Sequence, residues 1–211
     1  MEFFISKTFN DVLNAEYTHL KEETASFTYK IQGDSLTIFF EWSNGKTDWK
    51  NNFDFPAKPY RDMKDKWYCH RGFLRVWKAI EPHLKETILD PSIKWIYIAG
   101  YSHGGAIAQL CYEYCNYYRP DCNVFGYGYG APRVVWGFLK RRVKERFKGF
   151  TLVRNKGDIV THLPPVIFGF RNIGTTIKVG KLFRYNPIDA HRPENYIKEL
   201  EIYDSFMEEV I

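Results

Sequence analysis

Lys94-Trp95-Ile96-Tyr97-Ile98-Ala99-Gly100-Tyr101-Ser102-His103-Gly104-Gly105-Ala106-Ile107 is the stretch on which the architecture turns. Up to Ala99 it is an apolar run rich in β-branched and aromatic residues, the composition of a buried strand. After Ser102 the period changes. Ile107, Leu110, Cys111, Tyr114, Cys115 and Tyr118 fall on one helical face, which Arg119-Pro120 stops. Ser102 therefore stands at a strand-to-helix switch, flanked two residues away on each side by Gly100 and Gly104. Such a turn has no room for Cβ atoms at the flanking positions, and it lifts the serine oxygen into the open. The helix N-terminus behind it favours developing negative charge, and the small residues Gly105 and Ala106 permit close packing. These features make Ser102 a candidate nucleophile.

The flanking sequence repeats the alternation. Ser35 to Trp42 reads as a strand, and its continuous apolar centre predicts burial on both faces. From Phe73, apolar residues at 73, 76, 77, 80, 84 and 88 mark a helix face that Asp90-Pro91 closes. Asn123 to Tyr127, Thr151 to Arg154 and Thr176 to Phe183 read as further strands, with a helix from about Val134 to Phe147 and helix-compatible composition from Thr8 to Glu23. This β-α-β-α-β order predicts an α/β protein with a mainly parallel central sheet covered by helices on both faces. No repeat, low-complexity tract or composition break divides residues 1–211, which read as one domain. An aromatic share of 18% fits a well-filled core with rings left over for a binding surface.

A serine nucleophile needs a histidine base and an acid to orient it, and on an elbow of this kind the chain order is serine, acid, histidine. His162 and His191 both lie beyond Ser102 far enough to come from later strand ends. Asp158 occupies the loop Asn155-Lys156-Gly157-Asp158 directly after a strand. Asp158 followed by His191 gives the required order. His162, four residues after Asp158, is the alternative base, and Asp189 is a competing acid that fits a turn or cap better.

Several motifs resemble the class 3 lipase family, the group that includes the fungal triacylglycerol lipases. Tyr101-Ser102-His103-Gly104-Gly105-Ala106 is similar to its elbow, His70-Arg71-Gly72-Phe73 to its His-x-Gly-Phe element, and Gly130-Ala131-Pro132-Arg133-Val134 to its Gly-x-Pro-Arg-Val turn. Val153 to Pro165 is similar to the segment supplying the acid, and Ala190-His191 with Tyr196 to the histidine segment. The resemblance implies an α/β-hydrolase fold, a triad of Ser102, Asp158 and His191, and structural roles for His70 and His162. It also implies an oxyanion hole formed by the His103 backbone N–H and by Ser43, in a loop with Asp48-Trp49 and Asn52. Where the family usually has Arg-Gly before that Ser or Thr, this chain has Glu41-Trp42. Donors of this kind are each worth about 3–4 kcal/mol of transition-state stabilisation.

The implied activity is hydrolysis of a carboxylic ester through an acyl-enzyme, on acylglycerol or other lipid esters, with transient contact to a membrane or micelle surface. A non-catalytic lipid- or protein-binding domain on the same scaffold is the competing class, and an esterase for non-lipid esters is the other alternative. Apolar segments Phe53 to Tyr60 and Leu163 to Phe170 are candidates for an acyl pocket, and 53–68 for a lid.

Other chemistries find no support. Gly126-Tyr127-Gly128-Tyr129-Gly130-Ala131 fits a dinucleotide fingerprint in form, but Pro132-Arg133 follows and no acid lies about twenty residues on. Gly174 to Lys181 has the wrong spacing for a phosphate loop, and no His-Glu-x-x-His or CxxC pattern is present, so no cofactor or metal is expected. The net charge of +5 is interspersed with 25 acidic residues, and the basic run Lys140 to Lys148 reads as a solvated helix face, so nucleic acid is not expected as a partner. Cys69, Cys111, Cys115 and Cys122 read as buried thiols. Met1 to Lys7 lacks a signal-peptide core and no run reaches membrane-spanning length, from which a cytoplasmic location is expected.

Overall fold

A computed structural model describes residues 5–21, 25–42, 54, 56–61 and 63–210. Its centre is a seven-stranded sheet in the order β1-β2-β3-β6-β7-β9-β11, formed by β1 (Thr18–His19), β2 (Ser26–Gln32), β3 (Ser35–Phe40), β6 (Trp95–Tyr101), β7 (Asn123–Tyr129), β9 (Phe150–Asn155) and β11 (Thr175–Val179). Strands β3, β6, β7, β9 and β11 run parallel, while β1 and β2 are antiparallel at one edge. In β3 the inward set Leu36, Ile38 and Phe40 is fully buried and the alternate residues are half-buried. Both faces are thus covered to different degrees, as in a central strand of a parallel sheet.

Helices pack on both faces. On one, α2 (Arg71–Leu89), α3 (His103–Tyr118) and α4 (Arg141–Arg146) contribute Trp77, Ile80, Leu110 and Val143 to a core with Leu36, Ile96 and Phe150. On the other, α1 (Ile5–Asn14) and α5 (Pro193–Val210) bury Phe9, Val12, Tyr196 and Leu200 against Tyr101, Tyr129 and Val153. A second sheet of four antiparallel strands, β10-β8-β5-β4, comprises β4 (Ala57–Tyr60), β5 (Trp67–His70), β8 (Val135–Trp136) and β10 (Phe170–Arg171). Pro59 is tolerated in β4 because that strand is an edge of this sheet. Among the described residues no helix is long and apolar enough to cross a membrane.

Three elements depart furthest from what the sequence predicts. Residues 134–147 are not one helix: Val135 and Trp136 join the small sheet, Gly137 turns with φ +70, and only Arg141–Arg146 is helical. The helix expected over Thr8 to Glu23 runs from Ile5 to Asn14, after which Thr18–His19 pairs with β2. The last strand ends at Val179, where Gly180 adopts φ +73. The segment 53–68 is in part a hairpin: β4 pairs with β5, and the buried Tyr60 hydroxyl accepts a 2.6 Å bond from Trp77 Nε1. Cys69, Cys111 and Cys115 are buried free thiols as expected, whereas Cys122 is half-exposed.

Candidate active site

Strand β6 ends at Tyr101 and α3 begins at His103, leaving Ser102 alone in the turn with φ 53 and ψ −119. A left-handed φ on a residue with a side chain costs backbone energy and is held only where the surroundings over-determine it. Here they do. The Ser102 N–H donates to the Tyr129 carbonyl at 2.8 Å. A Cβ on Gly100 would lie 2.3 Å from the Gly104 carbonyl carbon, and one on Gly104 2.2 Å from the Phe40 carbonyl oxygen. The flanking glycines are therefore a steric requirement of the turn against its neighbouring strands.

His191 closes the short 3-10 turn Asp189–His191 just ahead of α5. Ser102 Oγ and His191 Nε2 are 2.8 Å apart, and His191 Nδ1 is 2.8 Å from Asp158 Oδ2. Asp158 follows β9 through Gly157, whose φ is +95, and it is fully buried. A buried carboxylate needs donors in place of water, and this one has three. Besides His191, the Tyr196 hydroxyl donates to Oδ2 at 2.6 Å and the Val160 N–H to Oδ1 at 2.9 Å. Burial, together with the Asp158 charge, pushes the Tyr196 phenol far above its usual range, so it remains a donor. Because Nδ1 faces a carboxylate, it carries the imidazole proton, which leaves Nε2 as the acceptor for the serine hydroxyl.

The supporting residues join the acid loop to the base turn. The Asn155 N–H donates to the Tyr196 hydroxyl at 3.0 Å, and Asn155 Nδ2 to the Ala190 carbonyl at 3.0 Å. Gly130, at φ +56, lies against His191, Tyr196 and Asp158: a Cβ there would be 3.1 Å from His191 Cε1, 3.1 Å from the Tyr196 hydroxyl and 3.2 Å from Asp158 Oδ2. The sequence singled out Gly130 and Tyr196 only as parts of longer motifs. Their functions depend on what the strand order brings beside them, which no local pattern records.

Of the other candidates, His103 opens α3, where a first-turn N–H has no acceptor within the helix. Its imidazole is buried, edge-on to Phe73 at 5.4 Å. Ser43, with Asp48-Trp49 and Asn52, lies outside the described residues. His70 caps α2, accepting the Phe73 N–H at 3.4 Å. His162 sits against Arg133, whose Nη2 is 3.5 Å from its Nδ1. Burial first, then the Arg133 and Arg154 charges, hold the His162 imidazole below its usual range. Asp189 pairs with Arg192 Nε at 2.9 Å, and the carboxylate bonded to the His191 ring is that of Asp158.

A sequence profile described as lipase (class 3) matches residues 37–168. A secreted mono- and diacylglycerol lipase of Fusarium solani is 31% identical over 131 residues, 59% of this chain and 38% of that protein. A lipase of Rhizomucor miehei is 32% identical over 155 residues, 68% of this chain and 42% of its own length. The chain thus spans about two fifths of these relatives. Among solved structures, a fungal lipase in complex with an inhibitor superposes with a TM-score of 0.73 at 22% identity, over 84% of this chain and 78% of that one. A triacylglycerol lipase whose catalytic centre is a serine protease triad gives 0.67 at 26% identity, over 79% of this chain and 66% of its own.

Proposed function

This chain belongs to the class 3 lipase family and has the α/β-hydrolase fold, and from that membership we propose that it is a serine-dependent hydrolase of carboxylic esters, acting on acylglycerols or other lipid esters. The observation that carries the reading is the continuous chain Ser102–His191–Asp158, with both contacts at 2.8 Å. In the cycle, His191 Nε2 takes the Ser102 proton as Oγ attacks the ester carbonyl. The resulting imidazolium returns that proton to the leaving alcohol. Water, deprotonated by the same nitrogen, then cleaves the acyl-enzyme. Asp158 keeps the tautomer fixed and offsets the positive charge. The His103 N–H and Ser43 are the proposed oxyanion donors.

A lipid substrate is favoured by what the same loops expose. The segment that follows Asp158 carries Ile167, 82% exposed, and the segment leading to His191 carries Phe183 at 88% and Ile188 at 73%. Large apolar side chains concentrated on the loops of a reactive site are suited to acyl chains or to a lipid surface. The test is a chain-length series of p-nitrophenyl esters assayed below and above micelle formation. Turnover that rises with acyl length is expected for a lipid ester, with a further rise above the micellar threshold if surface contact assists. Activity confined to acetate and butyrate would overturn the lipid assignment.

A further inference from the structure

We infer that Tyr101, the residue before the nucleophile, is a positioning residue for His191, stacking beneath its imidazole and tethering its backbone with a single side chain. The inference rests on the reading of Ser102 as nucleophile and His191 as base. The Tyr101 ring centroid lies 5.2 Å from that of His191 with the planes 25° apart, and the phenol hydroxyl donates to the His191 backbone carbonyl. Tyr101 is itself immobilised. It is 2% exposed and walled by Phe9 at 5.3 Å, Tyr196 at 5.7 Å and Trp42 at 6.3 Å.

His191 needs such support. It ends a three-residue turn, and its ring is partly exposed, whereas Asp158 is fully buried and Tyr196 lies in a helix. The bond from Nδ1 to Asp158 fixes one point of the imidazole but leaves rotation about the Nδ1···Oδ2 line. A ring stacked on its face removes that freedom, and the tether fixes the backbone from which the side chain springs. Because Tyr101 adjoins Ser102 in the chain, the platform under the base moves with the nucleophile, which keeps Oγ and Nε2 in register. Burial, then the Asp158 charge, pushes the Tyr101 phenol above its usual range, so the tether persists across the working pH.

The test compares the wild type with Tyr101→Phe, which keeps the ring and removes the tether, and Tyr101→Leu, which removes both. Four quantities are measured: kcat and KM on a soluble ester, the thermal midpoint, and the downfield proton resonance of the His191 Nδ1–H···Asp158 bond. Tyr101→Phe is expected to lower kcat about tenfold, with KM and midpoint nearly unchanged and the Nδ1 proton broadened by faster exchange. Tyr101→Leu is expected to lose roughly tenfold more. Wild-type kcat and an unaltered resonance in Tyr101→Phe would overturn the inference, as would a loss that merely tracks the unfolded fraction. A wild type that turns over no ester defeats the hydrolase reading instead, and the resonance in Tyr101→Phe still reports whether His191 is held by Tyr101.

Discussion

At Asp158, a carboxyl group without exposed surface is held by three donors, two of them on the oxygen that faces His191. This asymmetry fixes what an amide would do there. In Asp158→Asn the carbonyl oxygen would take the place that accepts the Val160 N–H. The NH2 group would then face both the Tyr196 hydroxyl and the His191 Nδ1 proton. The imidazole can meet an NH2 only by moving its proton to Nε2, where it can no longer take one from Ser102. The expected result is a fall of about 10³–10⁴ in kcat on an ester substrate, with the fold retained by circular dichroism. Wild-type kcat in that variant would remove Asp158 from the mechanism. The meeting of Ser102, His191 and Asp158 was legible in the sequence, because a Gly-x-Ser-x-Gly turn, a post-strand aspartate and chain order are local or ordinal signals. That Tyr196, Asn155 and Gly130 lie against these groups was not legible, since the side-chain and backbone groups they meet come from elements up to about sixty residues away in the chain.

The element that follows the proposed nucleophile is α3, which is buried at every residue from His103 to Cys115. A helix enclosed on all sides can begin against the sheet only if its first turn is small. Gly104 against the Phe40 and Glu41 carbonyls meets that requirement, and Gly105 has Ala131 at 2.9 Å from its would-be Cβ. Gly104→Ala should push α3 away from β3 at a cost of about 1–3 kcal/mol or more. A drop of several degrees in the thermal midpoint is expected, together with a loss of ester hydrolysis larger than that instability explains. A variant with unchanged midpoint and activity would refute the steric argument. The strand before Ser102 and the helix after it were readable because hydrophobic period and breaker residues agreed there. Strands β4, β5, β8 and β10 were not, since each is two to four residues long and is defined by its partners. A strand of Val135 and Trp136 therefore resembled the start of a helix until Tyr68 and Cys69 lay beside it.

At the scale of the whole molecule, α3, α4 and the connection between β4 and β5 meet at an ionic cluster. Glu113 of α3 is fully buried and accepts from Arg146 Nε at 2.6 Å. Arg146 also lies 3.7 Å from Asp65, in the connection between β4 and β5. Burial pushes the Glu113 carboxyl up to about 7, against the opposing pull of Arg146. A folded-state pKa above the ordinary value means that the neutral form stabilises the fold. That contribution is complete below the ordinary carboxyl range and is lost as pH rises through about 7. Stability of the wild type relative to Glu113→Gln should therefore decline between pH 5 and 8, by up to about 2–3 kcal/mol. Thermal midpoints of the two proteins across that range check it, and parallel curves would contradict the assignment. The sequence showed Lys140 to Lys148 as a charged run. It could not show that Arg146 alone turns inward to a buried acid from another helix.

The proposal that Ser102 is a nucleophile activated by His191 is most directly tested by labelling the folded protein with a fluorophosphonate and locating the adduct by mass spectrometry. One adduct is expected, on Ser102, abolished in Ser102→Ala and in His191→Ala and lost on unfolding. A folded protein that stays unlabelled, or one labelled at Ser102 equally well without His191, would contradict it.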